Sequence, residues 1–315
     1  MFLNGHCAAP NEVGQMPLTA PKTTPKTTTM FITIFDDTYN QPDCRSYYRM
    51  LRTLGYSNHT HAVPVFRAVL AELCRVRGLD QPQVFDFASS YGIVSALMKH
   101  QVSADAFLDR YADSQFDTLS ADDMRRDDTR WLAELPRNSV RADFNGLDVA
   151  DRAVDYAQGT GLFDQGFAED IQANDPSSGL AACLAQTDLI VECGSVAHLM
   201  PRALDRLLHA AERKPWLVTS PVRGNERTEA FDVMRAHGLQ IDTLGLLPFP
   251  HRRFENADEQ ARAIAIAKDA GHDTDGFETT GSFFAQIYVA RPADEATQVE
   301  NWAIHPADFG SGGAA

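Results

Sequence analysis

The chain has 315 residues, 44% hydrophobic and 23% charged, which suits one large domain or a domain plus a subdomain and excludes global disorder. Its 43 acidic and 28 basic residues leave a net charge of −15, a field that repels nucleic acid and anionic membrane surfaces as partners. The five cysteines (Cys7, Cys44, Cys74, Cys183 and Cys193) are odd in number and widely spaced, with no C-x-x-C. That pattern predicts reduced thiols in the cytoplasm and no metal site. The chain opens without a basic segment followed by an apolar run, so no signal peptide is expected. No window approaches the ~18 uninterrupted apolar residues of a membrane span.

Residues 1–29 read as a disordered tail, because "PLTAPKTTPKTTT" has no periodicity and no face to bury. Met30 is a candidate alternative start. Residues 30–80 are expected to form an N-terminal helical cap. Its first helix runs from about Asp43, a candidate N-cap, with Tyr47, Tyr48, Leu51 and Leu54 on one side and Gly55 as its stop. The second covers about Pro64 to Arg77, with Phe66, Val69, Leu70, Leu73 and Cys74 as its stripe and Gly78 just beyond its end.

From 81 to 292 the pattern alternates. "QVFDFA" is a first strand and "GIVSALMKH" its helix; residues 101–140 are a charged helical insertion with apolar anchors. "DFNGLDV" and "DRAVDYAQGTGL" form the next strand and helix. "QGFAEDI" is a short third strand followed by the helical "LAACLAQ". "TDLIVECGS" is a fourth strand, buried on both faces, and "LMPRALDRLLHAAER" its helix. "PWLVTSPVR" and "NERTEAFDVMRAHGL" follow, then "QIDTLGLLPFP" and "GSFFAQIYVARP" as the last two strands. Only a charged stretch, Glu255 to Asp275, separates that last pair, which favours an antiparallel, hairpin-like arrangement. The fold class is α/β: a doubly wound, seven-stranded, mostly parallel sheet with an antiparallel last strand, N-terminal helices and a helical insertion. Residues 293–315 are expected to be a C-terminal tail.

In an open α/β sheet, ligands bind beyond the carboxyl ends of the strands. Four features fall there in order. The first is the turn Asp86-Phe87-Ala88-Ser89-Ser90-Tyr91-Gly92, a D-x-G-x-G-x-G loop with two of its three glycines replaced. Free backbone N–H groups at the following helix still offer a cradle. Alanine and serine add little bulk at 88 and 90 if φ is negative there, whereas Gly92 marks a close approach or a positive φ. The second is Asp148, placed to grip two ribose hydroxyls or to cap the next helix. The third is Glu169-Asp170, an adenine contact or a solvated turn. The fourth is Glu192-Cys193-Gly194-Ser195, leaving the central strand. A dinucleotide would want G-x-G-x-x-G and room for a pyrophosphate, but this turn keeps one glycine and Tyr91 crowds it. An aromatic ring there is better matched to a cationic group by cation–π attraction.

This four-part layout resembles that of the class I S-adenosylmethionine-dependent methyltransferases over about residues 40–292. In particular the chain is similar to a bacterial subgroup whose turn reads "SSYG" or "CSYG", followed by an "ALL.H" type helix, here "SALMKH", and by "GLDV…AV.YA". The resemblance implies S-adenosylmethionine as cofactor, with Asp86 near the methionine amino group and Ala88, Ser90 and Gly92 against methionine and ribose. It places Asp148 on the ribose hydroxyls, with Val149 beside it, Glu169 or Asp170 on adenine, and Cys193-Gly194-Ser195 at the sulfonium. It implies a small-molecule acceptor, while the oligomeric state stays open.

Candidate catalytic residues are His198 as a base and Arg223 as a bidentate partner for an acceptor carboxylate. His251-Arg252-Arg253 could bind the same group from a loop, and Tyr47 and Tyr48 could close over it. Two other functions remain open. One is intramolecular displacement within S-adenosylmethionine, giving azetidine-2-carboxylate and methylthioadenosine. The other is a non-catalytic binder, since one fold hosts many functions.

Overall fold

The computed structural model describes residues 38–139, 141–194, 201–226 and 228–306. Five parallel strands carry the first half of the fold: β1 (Gln83–Phe87), β2 (Asp143–Asp148), β3 (Gln165–Ala168), β4 (Leu189–Glu192) and β5 (Trp216–Thr219). Two more close the sheet, β6 (Leu239–Asp242) and β9 (Tyr288–Pro292), in the order β3-β2-β1-β4-β5-β9-β6. β9 runs antiparallel between β5 and β6. The order reverses between β1 and β4, the switch point at whose carboxyl ends ligands bind in the crevice of open α/β sheets.

Successive residues of β1 feed opposite faces, as the two-residue period of a strand requires: Val84 joins one core and Phe85 the other. Helices α1 (Arg45–Thr53), α2 (Asn58–Arg77) and α3 (Ile93–Lys99) cover the first face. Helices α7 (Ser178–Ala185), α8 (Pro201–Ala210) and α9 (Thr228–Ala236) cover the second. The insertion is helical, as expected: α4 (Ala104–Ala112) and α5 (Ala121–Glu134). Between β2 and β3 lies α6 (Asp151–Gly159).

A buried carboxylate ties the insertion to the N-terminal cap. Asp128, 1% exposed, accepts hydrogen bonds from Tyr156 (2.7 Å), Tyr111 (3.0 Å) and Arg110 (3.1 Å), and Cys44 Sγ lies 3.6 Å away. Four helical segments thereby share one acceptor.

Three local expectations need correction. α2 begins at Asn58, two turns before the expected start, and carries Pro64 in its interior. The "QIDTLGLLPFP" segment is not one strand: it breaks into β6 and β7 (Phe249–Arg253), and "GSFFAQIYVARP" likewise breaks into β8 (Ser282–Ala285) and β9. β7 and β8 pair as a separate two-stranded sheet. The charged stretch between them contains a helix, α10 (Ala257–Asp269), capped by Asn256, whose side chain accepts from Glu259 N (2.9 Å). The β6/β9 pair is antiparallel but reached through this excursion rather than a hairpin.

The segment after β9 is not loose where it is described. Trp302 is buried, stacks against Arg291 and donates to Thr297 Oγ1 (3.0 Å); Thr297 in turn donates to Glu72 of α2. Residues 1–37 and 307–315, and with them the expected tail and Met30, lie outside the described residues.

Candidate ligand site at the strand ends

The β1–α3 turn keeps a glycine-loop backbone without the glycines. Ala88, Ser90 and Gly92 have φ of 56°, 50° and 80°. The condition under which alanine and serine are tolerated cheaply at 88 and 90, a negative φ, is therefore not met. Two L-residues sit in the left-handed region, at about 1–2 kcal/mol each. Gly92 meets both reasons for a glycine, because a Cβ there would also lie 3.2 Å from Ala157, Leu162 and Phe163.

The loop is held by Asp148, at the end of β2. Its carboxylate accepts from Ser90 N (2.9 Å) and Ala150 N (2.9 Å), and from the Tyr39 hydroxyl (2.7 Å). A phenol from the N-terminal segment thus bonds the carboxylate expected to grip ribose. Asn40 continues this contact by bonding Asp151 (2.9 Å) and Arg152 N (2.8 Å). Val149, next in sequence, is 68% exposed, an unusual setting for a large apolar side chain at a strand end.

Asp86, on β1, is 1% exposed and accepts from Ser95 Oγ (2.8 Å) and Ser95 N (3.3 Å). Burial, with the nearby charges of Asp148 and Glu192 and against the Ser95 hydrogen bonds, pushes its pKa up to about 8. Glu192, fully buried at the end of β4, accepts a hydrogen bond from Thr219. Three adjacent strands, β2, β1 and β4, therefore end in buried carboxylates. Such a row favours a cationic ligand, whose charge would offset theirs.

Tyr91 does not face this crevice. Its ring is fully buried among Tyr47, Tyr48 and Tyr156, and its hydroxyl donates to Gln41 O (2.9 Å). Tyr48 is core as well. The aromatic group at the site is Tyr47, whose hydroxyl lies beside Ser90 and in the field of Asp148, Cys193 and Asp86.

Glu169 and Asp170 are engaged in their own turns. Glu169 accepts from Ser177 Oγ (2.6 Å) and Ser177 N (2.9 Å), and Asp170 accepts from Gln172 N (3.0 Å) and Ala173 N (3.2 Å). Arg223 does not present a free fork to an acceptor. Its guanidinium is buried, bonds both Glu278 oxygens (3.2 Å each) and Asp273 O (2.6 Å), and stacks on Phe277. Arg252 is likewise paired with Glu259 (2.7 Å), so the basic run lies on a strand, with His251 and Arg252 buried and Arg253 exposed, rather than on a loop. Ser195 and His198 lie outside the described residues.

After β4, Cys193 Sγ lies 3.6 Å from Ser220 Oγ, and Gly194 has φ of 94°. A Cβ on Gly194 would fall 2.7 Å from Tyr56 Oη, 2.9 Å from Asn58 Nδ2 and 3.1 Å from His251 Nε2. No local pattern in the sequence marks Tyr39, Tyr56 and Asn58 as reaching the strand ends. They arrive from the cap through contacts across more than a hundred residues.

Among the described residues no helix is long and apolar enough to cross a membrane, and no group of three His, Cys, Asp or Glu side chains is placed to hold a metal. No family model matches the chain, and no curated protein matches it. Solved structures similar to it include a TehB-like SAM-dependent methyltransferase from Corynebacterium glutamicum, at 14% identity over 77% of this chain and 93% of that one, TM-score 0.37. The YcgJ protein from Bacillus subtilis aligns at 12% identity over 71% and 98%, TM-score 0.39. The plantazolicin methyltransferase BamL aligns at 10% identity over 78% and 89%, TM-score 0.38. Likeness this distant leaves the strand order itself as the basis of the fold.

Proposed function

We propose that the protein is an S-adenosylmethionine-dependent methyltransferase acting on a small molecule, of the subgroup with an S-S-Y-G turn. The observation that supports it most is the row Asp148, Asp86 and Glu192 on adjacent strand ends beside a left-handed loop. The residues fit a ligand that is cationic at one end and carries a diol at the other. When bound, S-adenosylmethionine supplies an electrophilic methyl group on sulfur.

Asp86 holds the ammonium end. It is protonated at neutral pH without ligand and releases that proton to solvent when the ammonium binds. Asp148 bonds the diol, exchanging the Tyr39 hydroxyl for it. Val149 offers an apolar face to the adenine, and Glu169 or Asp170 the adjoining polar edge. Ala88, Ser90 and Gly92 line the middle, Tyr47 replaces Tyr91 as the ring facing the sulfonium, and Cys193, Gly194 and Ser195 border the methyl. Alignment of the two reactants supplies most of the acceleration. His198 remains the proposed base, and Arg223 is not retained as an acceptor ligand. The cytoplasm is the proposed location.

A second reading rests on Asp86. In its ionised form, a carboxylate whose acid has a pKa of about 8 is matched to taking a proton from the methionine ammonium. A neutral amine could form its N–Cγ bond as the Cγ–S bond breaks, leaving the electron pair on sulfur as methylthioadenosine. Mass spectrometry of products separates the two. S-adenosylhomocysteine formed only when a metabolite pool is added supports methyl transfer. Methylthioadenosine from S-adenosylmethionine alone contradicts it.

A further inference from the structure

Beyond the carboxylate row, on the β4–β5 side of the crevice, lies a second polar cluster of a different character. His251, on β7, is 5% exposed, and neither ring nitrogen has a hydrogen-bond partner. Asn58, at the start of α2, is fully buried with Oδ1 unpartnered. His59 is also buried, and its Nδ1 lacks a partner. Tyr56 stands between the two rings, with centroids 4.5 Å from His251 and 5.1 Å from His59. Buried polar atoms without partners are rare and costly, and cluster where a ligand or water completes them. His251 Nε2, the Asn58 side-chain amide and the Tyr56 hydroxyl meet at Gly194, two residues past β4, whose missing side chain leaves room for these three polar tips.

The cluster has no net charge. Burial drives the His251 pKa down to about 3 and that of His59 to about 4, so both rings are neutral at physiological pH. The neighbouring arginines are neutralised, Arg252 by Glu259 and Arg223 by Glu278. A carboxylate or phosphate would find no countercharge here. A neutral imidazole offers one donor and one acceptor, and Asn58 Oδ1 another acceptor.

We propose that Asn58 and His251, with Tyr56 between α2 and β7, form the subsite for the second substrate, an uncharged small molecule presenting a hydrogen-bond donor and an acceptor on one ring, such as an azole with an N–H and a bare ring nitrogen. Its role as the methyl-acceptor subsite rests on the methyltransferase reading. A ring of such low proton affinity positions this molecule rather than deprotonating it. The site therefore suits a nucleophile that already carries a free lone pair.

The test uses ligand-observed NMR on the full chain with benzimidazole, benzoate and benzylammonium as probes. Benzimidazole is expected to bind, and the two charged probes are not. His251→Phe keeps a ring against Tyr56 but removes both nitrogens, and Asn58→Leu removes the amide. Each should weaken benzimidazole at least tenfold, and His251→Phe should melt no lower than the parent protein, because two unpartnered ring nitrogens have been removed. A purely structural histidine would instead lose stability in His251→Phe. The proposal is overturned if benzimidazole fails to bind the parent, binds both variants equally, or is matched by a charged probe. S-adenosylhomocysteine binding, measured in the same samples, reports on the methyltransferase reading separately: its absence would remove that reading and leave the subsite to stand or fall on benzimidazole.

Discussion

Restoring the two missing glycines should stabilise this protein. Ala88 and Ser90 hold φ of 56° and 50°, where an L-residue is disfavoured by about 1–2 kcal/mol. Glycine removes that strain but adds freedom to the unfolded chain, worth about 0.5–1 kcal/mol against alanine. The net gain is about 0.5–1 kcal/mol per site, so about 1–2 kcal/mol for the Ala88→Gly/Ser90→Gly pair. For a chain of this size each kcal/mol moves the midpoint by about 2–4 °C, giving a rise of about 2–8 °C. Ala88→Gly is the cleaner single variant, because Ser90 also places a hydroxyl beside Tyr47. Urea unfolding gives the free energy, with an unchanged m-value confirming that the folded state is the same. Neutral or destabilised single variants would refute the reasoning, and with it the left-handed geometry of the loop.

Two further outcomes follow from buried carboxylates. Asp86 has a folded pKa raised to about 8 against about 3.9 when unfolded, so its contribution to the unliganded protein's stability is fully present below pH ~4 and is lost as pH rises to about 8. A cationic ligand needs the ionised form, so its affinity should rise about tenfold per pH unit up to about 8 and then level off; calorimetry from pH 5.5 to 9 measures the slope, and Asp86→Asn should flatten it. Asp128→Ala should cost about 3–5 kcal/mol in urea unfolding, since it leaves Tyr111 and Tyr156 without their acceptor and removes one of the two carboxylates paired with Arg110, while Asp128→Asn, which keeps the shape, should cost less.

Much of the sheet is legible in the sequence because buried strands advertise themselves. "LIV" in β4 and "WLV" in β5 are continuous apolar runs, and the structure buries every residue of both strands. The strand ends are legible for the same reason, since a strand's last residue fixes where its side chain emerges. α10 escaped because its buried stripe is Ala263 and Ala267, too small to register as periodic hydrophobicity. Its Asn256-x-x-Glu259 start was a readable capping box all the same. The early start of α2 was hidden by Pro64, which reads as a first-turn residue although it stands inside the helix.

The candidate site divides along the same line. Asp86 and Asp148 could be placed from local pattern alone. Tyr39 on Asp148 and His251 beside Gly194 could not, because each meets its neighbour through packing of the cap and of β7 against distant strand ends. The left-handed φ at Ala88 and Ser90 was likewise invisible, because residue type argued against it.

Isothermal titration of the full chain with S-adenosylmethionine, beside the Asp148→Ala variant with its fold checked by circular dichroism, tests the central claim most directly. Saturable one-to-one binding to the parent, lost in the folded variant, is the predicted result. No binding to the parent, or equal binding to both, would contradict it.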